Sequence, residues 1–243
     1  MKQLNLKFLA LLISGFSFAQ GGNEDPTFST STDLIIQNTS IEYSQNLEQL
    51  VFTIEVQGNA GVTVPSPTGQ MDGAPVLGYV FPTTLLSTDV GFSETEGIVA
   101  MALTSHPDFD DTPLWDENLD RDYLNDGVVW HAHWVILEEN SAVPGGLAVK
   151  QFDTNDTSVT LPPTNPGMPM YMDSPGYSVV VKGNKIRVII PAYRMNNKTN
   201  FNFDAVTAYM EVNTSNSSFP LLGVYAVYAI ASGDLSLPYT VNN

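Results

Sequence analysis

The apolar residues of this chain fall into short runs rich in Val, Ile, Tyr, Phe and Thr, and Gly, Pro, Asn and Asp punctuate them. Runs of that composition and length are the mark of β-strands bounded by turns. The pattern predicts strands over residues 33–37, 47–57, 76–81, 98–104, 128–137, 158–161, 177–182, 185–191, 205–212 and 222–230. No segment sustains a 3.6-residue apolar period across a dozen residues, so helices are not expected. The clearest hairpin joins 177–182 to 185–191 through Gly183-Asn184, a two-residue turn suited to positive φ. Residues 162–175 (PPTNPGMPMYMDSP) read as a long Pro-rich loop ordered on the surface. With no internal repeat and no long linker, the expectation is an all-β fold: one antiparallel β-sandwich or jelly-roll-like domain.

One predicted strand differs from the rest. In VVWHAHWVIL, residues 128–137, side chains alternate between two faces. Val128, Trp130, Ala132, Trp134 and Ile136 form one face, which is apolar and belongs in the core. The other carries Val129, His131, His133 and Val135. The strand thus holds two imidazoles side by side on a rigid platform, as a metal site requires.

Composition sharpens this picture. The 243 residues carry 9 Lys+Arg against 26 Asp+Glu, for a formal net charge of −17. Such an acidic balance argues against nucleic acid and anionic membrane surfaces as partners. It suits an exported protein or one that collects cations. The absence of cysteine excludes disulfides, thiolate ligands, Cys nucleophiles and a lipid-modified cysteine. At the start, Lys2 and Lys7 precede the apolar stretch 8–18 (FLALLISGFSF), and Ser17 and Ala19 offer small residues for cleavage before Gln20. Residues 1–19 therefore read as a secretory signal peptide, leaving 20–243 as a secreted or periplasmic β-domain.

All three histidines lie between positions 106 and 133. From His106 to Asp126 (HPDFDDTPLWDENLDRDYLND) the chain offers one imidazole and eight carboxylates against a single Arg121, and Pro107 and Pro113 argue for a loop. Zn²⁺ takes three or four imidazole or carboxylate ligands at about 2 Å. His106, His131 and His133 with Asp108 or Asp110 are the expected set, giving a closed shell suited to binding more than to catalysis. Within the same loop Asp116, Asn118, Asp120, Asp122 and Asp126 present oxygens at the short spacings of a Ca²⁺ loop. Arg121 replaces the turn glycine and Gly127 stands where a bidentate Glu would be, so this is a partial match to a second, calcium site. Met168, Met170 and Met172 alternate in the Pro-rich loop; such thioethers suit Cu(I), but read first as fillers of irregular apolar gaps.

The stretch from His106 to Leu137 resembles a small family of secreted bacterial zinc-binding proteins linked to zinc limitation. That resemblance implies metal binding in an exported β-protein and no catalytic mechanism. A shorter likeness, His131-x-His133 followed by Glu138 and Gly145, resembles the latter part of the first cupin motif. Cupins are jelly rolls that hold Mn, Fe or Zn. Here three residues, instead of five, separate Gly127 from His131, no histidine follows His133, and an unbroken strand turns Glu138 away from the imidazoles.

The leading expectation is a secreted protein that binds Zn²⁺ for sequestration or homeostasis, with a possible structural Ca²⁺. Its rivals are a cupin-like or hydrolytic metalloenzyme, whose base would have to be Glu138 or Glu139, and a β-sandwich adhesion module suggested by the Thr/Asn-rich surface.

Overall fold

The computed structural model describes residues 28–66, 70–106, 121 and 129–242. Their regular structure is strand, relieved only by 3-10 turns at Thr32–Leu34, Ser87–Val90 and Ala192–Met195. None of the described helical segments is long and apolar enough to cross a membrane. The strands are β1 (Ile36–Ser44), β2 (Gln49–Val56), β3 (Pro75–Pro82), β4 (Ile98–Ser105), β5 (His131–Glu139), β6 (Leu147–Val149), β7 (Met172–Asp173), β8 (Ser178–Lys182), β9 (Lys185–Pro191), β10 (Asn202–Phe203), β11 (Val206–Val212), β12 (Leu222–Ile230) and β13 (Tyr239–Thr240).

Two large antiparallel sheets result. The smaller runs β1-β2-β9-β8, and the predicted Gly183-Asn184 hairpin joins its last two strands, with Gly183 at φ +61°. The larger runs β4-β3-β11-β12-β6-β5, and β5 pairs again with β4, so six strands close into a barrel; β7 borders β5 beside β6. Closure is tightest between β4 and β5, paired from Ile98–Leu137 to Thr104–His131. It is thinnest at β12 and β6, which share the pair Gly223–Ala148, reinforced by the Gly145 amide donating to the Val224 carbonyl at 2.9 Å.

Strand alternation decides which residues go where. In β2 the residues Leu50, Phe52, Ile54 and Val56 are fully buried between half-buried neighbours, and β9 repeats this with Ile186, Val188 and Ile190. These rows pack against the outer rows of three barrel strands: Leu77, Tyr79 and Phe81; Val99, Met101 and Leu103; Ala132, Trp134 and Ile136. The two sheets therefore meet face to face as in a sandwich, with the larger one curled shut. Phe52 sits at the middle, edge-on to Phe81 at 5.3 Å and to Trp134 at 6.3 Å. Burying such a ring contributes about 1.5–3 kcal/mol.

The barrel strands also bury their other row. Val76 and Val80, Ala100 and Ala102, Val135 and Leu137, Val206, Ala208, Met210 and Val212, and Leu222 and Val224 form a second apolar cluster inside the barrel. β3, β4 and β5 thus read as near-continuous apolar runs because water reaches neither face.

Some expectations are corrected. Residues 158–161 form no strand: the Asp156 carboxylate caps the Ser158 amide at 2.9 Å, an Asx turn that diverts the chain. The first strand runs over Ile36–Ser44 after a 3-10 turn, so it shares only residues 36 and 37 with the expected 33–37. The Pro-rich stretch is not confined to the surface, since Met170, Tyr171, Met172, Asp173 and Ser174 are buried and two of them make β7. The signal-peptide stretch 1–19 lies outside the described residues.

Candidate metal centre

The register of β4 on β5 explains why the three histidines meet. Thr104 stands opposite His131 and Ala102 opposite His133. His106, two residues beyond Thr104, falls in the same inward-facing row as both. Side-chain parity therefore sends all three imidazoles into the barrel. The rotation of β5 about its own axis is fixed from the opposite face. There the Trp130 indole N–H donates to the Gly61 carbonyl at 3.0 Å, and the Trp134 N–H to the Tyr177 hydroxyl at 3.4 Å. Gly61 is required for the first contact: its φ is +69°, and a Cβ there would lie 2.8 Å from the Trp130 nitrogen.

His106, His131 and His133 are 2%, 3% and 2% exposed. Their candidate ligand nitrogens all lie within 4.8 Å of one another. The two Nε2 atoms of His106 and His131 are 3.0 Å apart, and the Thr104 hydroxyl lies 3.5 Å from His131 Nε2. Ring centroids are separated by 4.8 Å for 106–131, 4.7 Å for 131–133 and 6.3 Å for 106–133. Nitrogens bound to one tetrahedral Zn²⁺ at about 2.0–2.1 Å would be roughly 3.3 Å apart. The cluster needs only small side-chain shifts to reach that spacing.

Outer contacts orient two of the rings and fix one tautomer. His131 Nδ1 lies 2.6 Å from the Val129 carbonyl, which can only accept, so the N–H is at Nδ1 and the Nε2 lone pair faces the cluster. His133 Nδ1 lies 3.0 Å from the Ser174 hydroxyl, which holds the ring with its Nε2 turned away from that contact. Hydrogen bonds of this kind orient metal-binding imidazoles and raise their basicity. Neutral imidazoles converging in a buried place are what a divalent transition metal takes. These three residues can hold a metal ion.

The histidines open onto the barrel interior, a cavity of about 680 Å³ lined by His106, His133 and Thr104 at one end. Met168, Met170 and Met172 line it too. Along β5 the inward row continues from His133 through Val135 and Leu137 to Glu139. Glu139 is therefore of the right parity for the histidines but six residues from His133, about 20 Å along the strand. Glu138 is on the outward row, as its parity required.

Asp108 and Asp110, expected to complete the shell, and Asp116, Asn118, Asp120, Asp122 and Asp126, expected as calcium ligands, lie outside the described residues. Sequence reasoning missed Ser174, Thr104 and the cavity. Thr104 carried a signal, since it shares parity with His106 on a predicted strand. Ser174 carried none, because it approaches His133 across 41 positions of chain. No family model, curated protein or solved structure matches this chain.

Proposed function

We propose that this protein is a secreted zinc-binding protein that takes up one Zn²⁺ per chain through His106, His131 and His133. The observation that carries the reading is the buried convergence of the three imidazoles, two of them held from behind by Val129 and Ser174. Zinc is preferred because imidazole without thiolate suits it and the chain has no cysteine, although Cu²⁺ and Ni²⁺ accept the same donors. Export is supported by the basic, apolar, small-residue order of positions 1–19. Binding without turnover is favoured because, among the described residues lining the cavity, the nearest candidate base on β5 is Glu139, far from the imidazoles. A role in holding or buffering zinc outside the cytoplasm follows.

The test is calorimetric. Untagged protein dialysed against EDTA should bind one Zn²⁺ per chain, and the double variant His131→Ala/His133→Ala should bind none while staying folded, since Trp130 and Trp134 anchor the strand from its other face. Equal zinc uptake by the parent and the double variant would sink the assignment.

A further inference from the structure

We propose that the barrel cavity binds a straight-chain aliphatic monocarboxylate, its tail lying along the barrel and its carboxylate completing the coordination of the ion held by the three histidines. This inference rests on the metal reading above and adds a ligand class to it.

Size is the first support. Native interiors are close-packed, and voids beyond a water molecule are few. A cavity of about 680 Å³ falls instead in the range of ligand sites, about 300–1,000 Å³. It is a product of the inner rows themselves, where alanine stands at Ala102 and Ala208 in place of bulkier residues.

The wall gives the shape of the occupant. Between the imidazole end and the acidic rim its side chains are mainly those of Val, Ile, Leu, Ala and Met, and no Phe, Tyr or Trp appears among the described lining residues. The fold keeps its large aromatic rings on the far side of the same strands, in the core shared with the smaller sheet. A wall without flat rings gives a planar ligand nothing to stack on. Branched aliphatic side chains and four flexible thioethers, Met168, Met170, Met172 and Met210, instead fit around a flexible alkyl chain.

The two ends assign the orientation. His106 and His133 are buried, whereas Glu139 and Asp234 at the other end are exposed. The cavity therefore has a buried imidazole end and an acid-rimmed mouth. An ion with two positive charges on neutral imidazoles in an apolar enclosure needs a compensating anion. The only carboxylates among the described lining residues are Glu139 and Asp234, and both sit at the mouth. A carboxylate brought in at the tip of an alkyl chain supplies that charge and fills a coordination position the three histidines leave open. The acidic rim repels the same head group, so its favourable resting place is the metal end.

The experiment titrates dodecanoate and dodecanol into protein stripped of metal with EDTA and freed of the chelator by gel filtration, with and without one equivalent of zinc. Zinc uptake by the stripped protein is measured first; its absence would refute the metal reading before any amphiphile is added. With zinc bound, dodecanoate should bind at least about tenfold more tightly than to the stripped protein, and dodecanol should show no such gain. Ala208→Phe and, separately, Val206→Phe project added bulk into the cavity; each should weaken dodecanoate while the variant still takes one zinc, which also reports that it is folded. Dodecanoate that fails to bind the zinc-loaded protein, binds equally with and without zinc, or is indifferent to both substitutions overturns the proposal.

Discussion

Ser174 reaches His133 from the Pro-rich segment, and its whole effect on an ion passes through the orientation of that ring. Removing contacts of this kind characteristically costs 10–100-fold in metal affinity. Ser174→Ala should accordingly weaken zinc by about that factor in a competition titration with a chelator of known affinity, without changing the stoichiometry. An unchanged affinity would show that the hydroxyl does not hold the ring. Its neighbour Asp173 makes a different contribution. The carboxyl is 1% exposed and accepts a hydrogen bond from the Thr164 hydroxyl at 2.7 Å. Burial pushes its pKa above the usual carboxylate range, opposed by the Thr164 hydroxyl, the Arg194 charge and the Ser174 amide. The folded state thus holds this proton more tightly than the unfolded chain does. That contribution to stability is fully present below the ordinary Asp value near 3.9 and is lost as pH rises through the folded-state value. Asp173→Asn, neutral throughout, should lose less stability than the parent between about pH 4 and pH 7, read from urea midpoints at each pH. Parallel pH profiles for the two proteins would contradict the stated cause.

β5 is one strand with two cores. Its outward row belongs to the packing between the sheets and its inward row to the cavity and the histidines. The two can be probed separately. Phe52→Ala removes a ring fully buried against Phe81 and Trp134, and should cost about 3–5 kcal/mol in denaturant unfolding while the protein that remains folded still takes one zinc per chain. A loss well below that range would mean the two sheets pack more loosely than their contacts imply. Strands with strong composition, β2, β3, β4, β9, β11 and β12, were legible in the sequence, and the meeting of His131 with His133 followed from parity alone. β6, β7, β10 and β13 were not, because two or three residues carry no periodicity and pair only where the tertiary fold brings an edge to them. Barrel closure was equally hidden. The apolar inner rows of β3 and β4 look the same in sequence whether they face another sheet or their own interior. The choice depends on a β4–β5 register set across the intervening chain.

For the molecule as a whole, a ligand that binds only the folded state stabilises it by RT ln(1 + [L]/Kd), which grows with the logarithm of the ligand concentration. Zinc at about a hundred times its Kd should add about 2.7 kcal/mol. For a chain of this length that corresponds to roughly 2–4 °C in Tm per kcal/mol. The increase should be absent from the His131→Ala/His133→Ala variant. It should also shrink as pH falls through the ordinary imidazole range near 6.5, since protonated rings cannot coordinate. A zinc-induced increase of the same size in the double variant would place the ion elsewhere.

The double commitment of β5 has a further consequence for how this sequence can change over time. Most surface strands tolerate drift on their solvent side, and loops absorb insertions and deletions. Here neither side of residues 131–137 faces water. If the loss of a residue slipped the register of the strand by one position, its two rows would be exchanged. Trp130 and Trp134 would be driven into the cavity, and the imidazoles would be pressed between Phe52 and Tyr79 with no ion and no carbonyl to receive them. Such a slip would thus erase the metal centre, the cavity and the inter-sheet core together. Substitution one side chain at a time leaves the two rows in place.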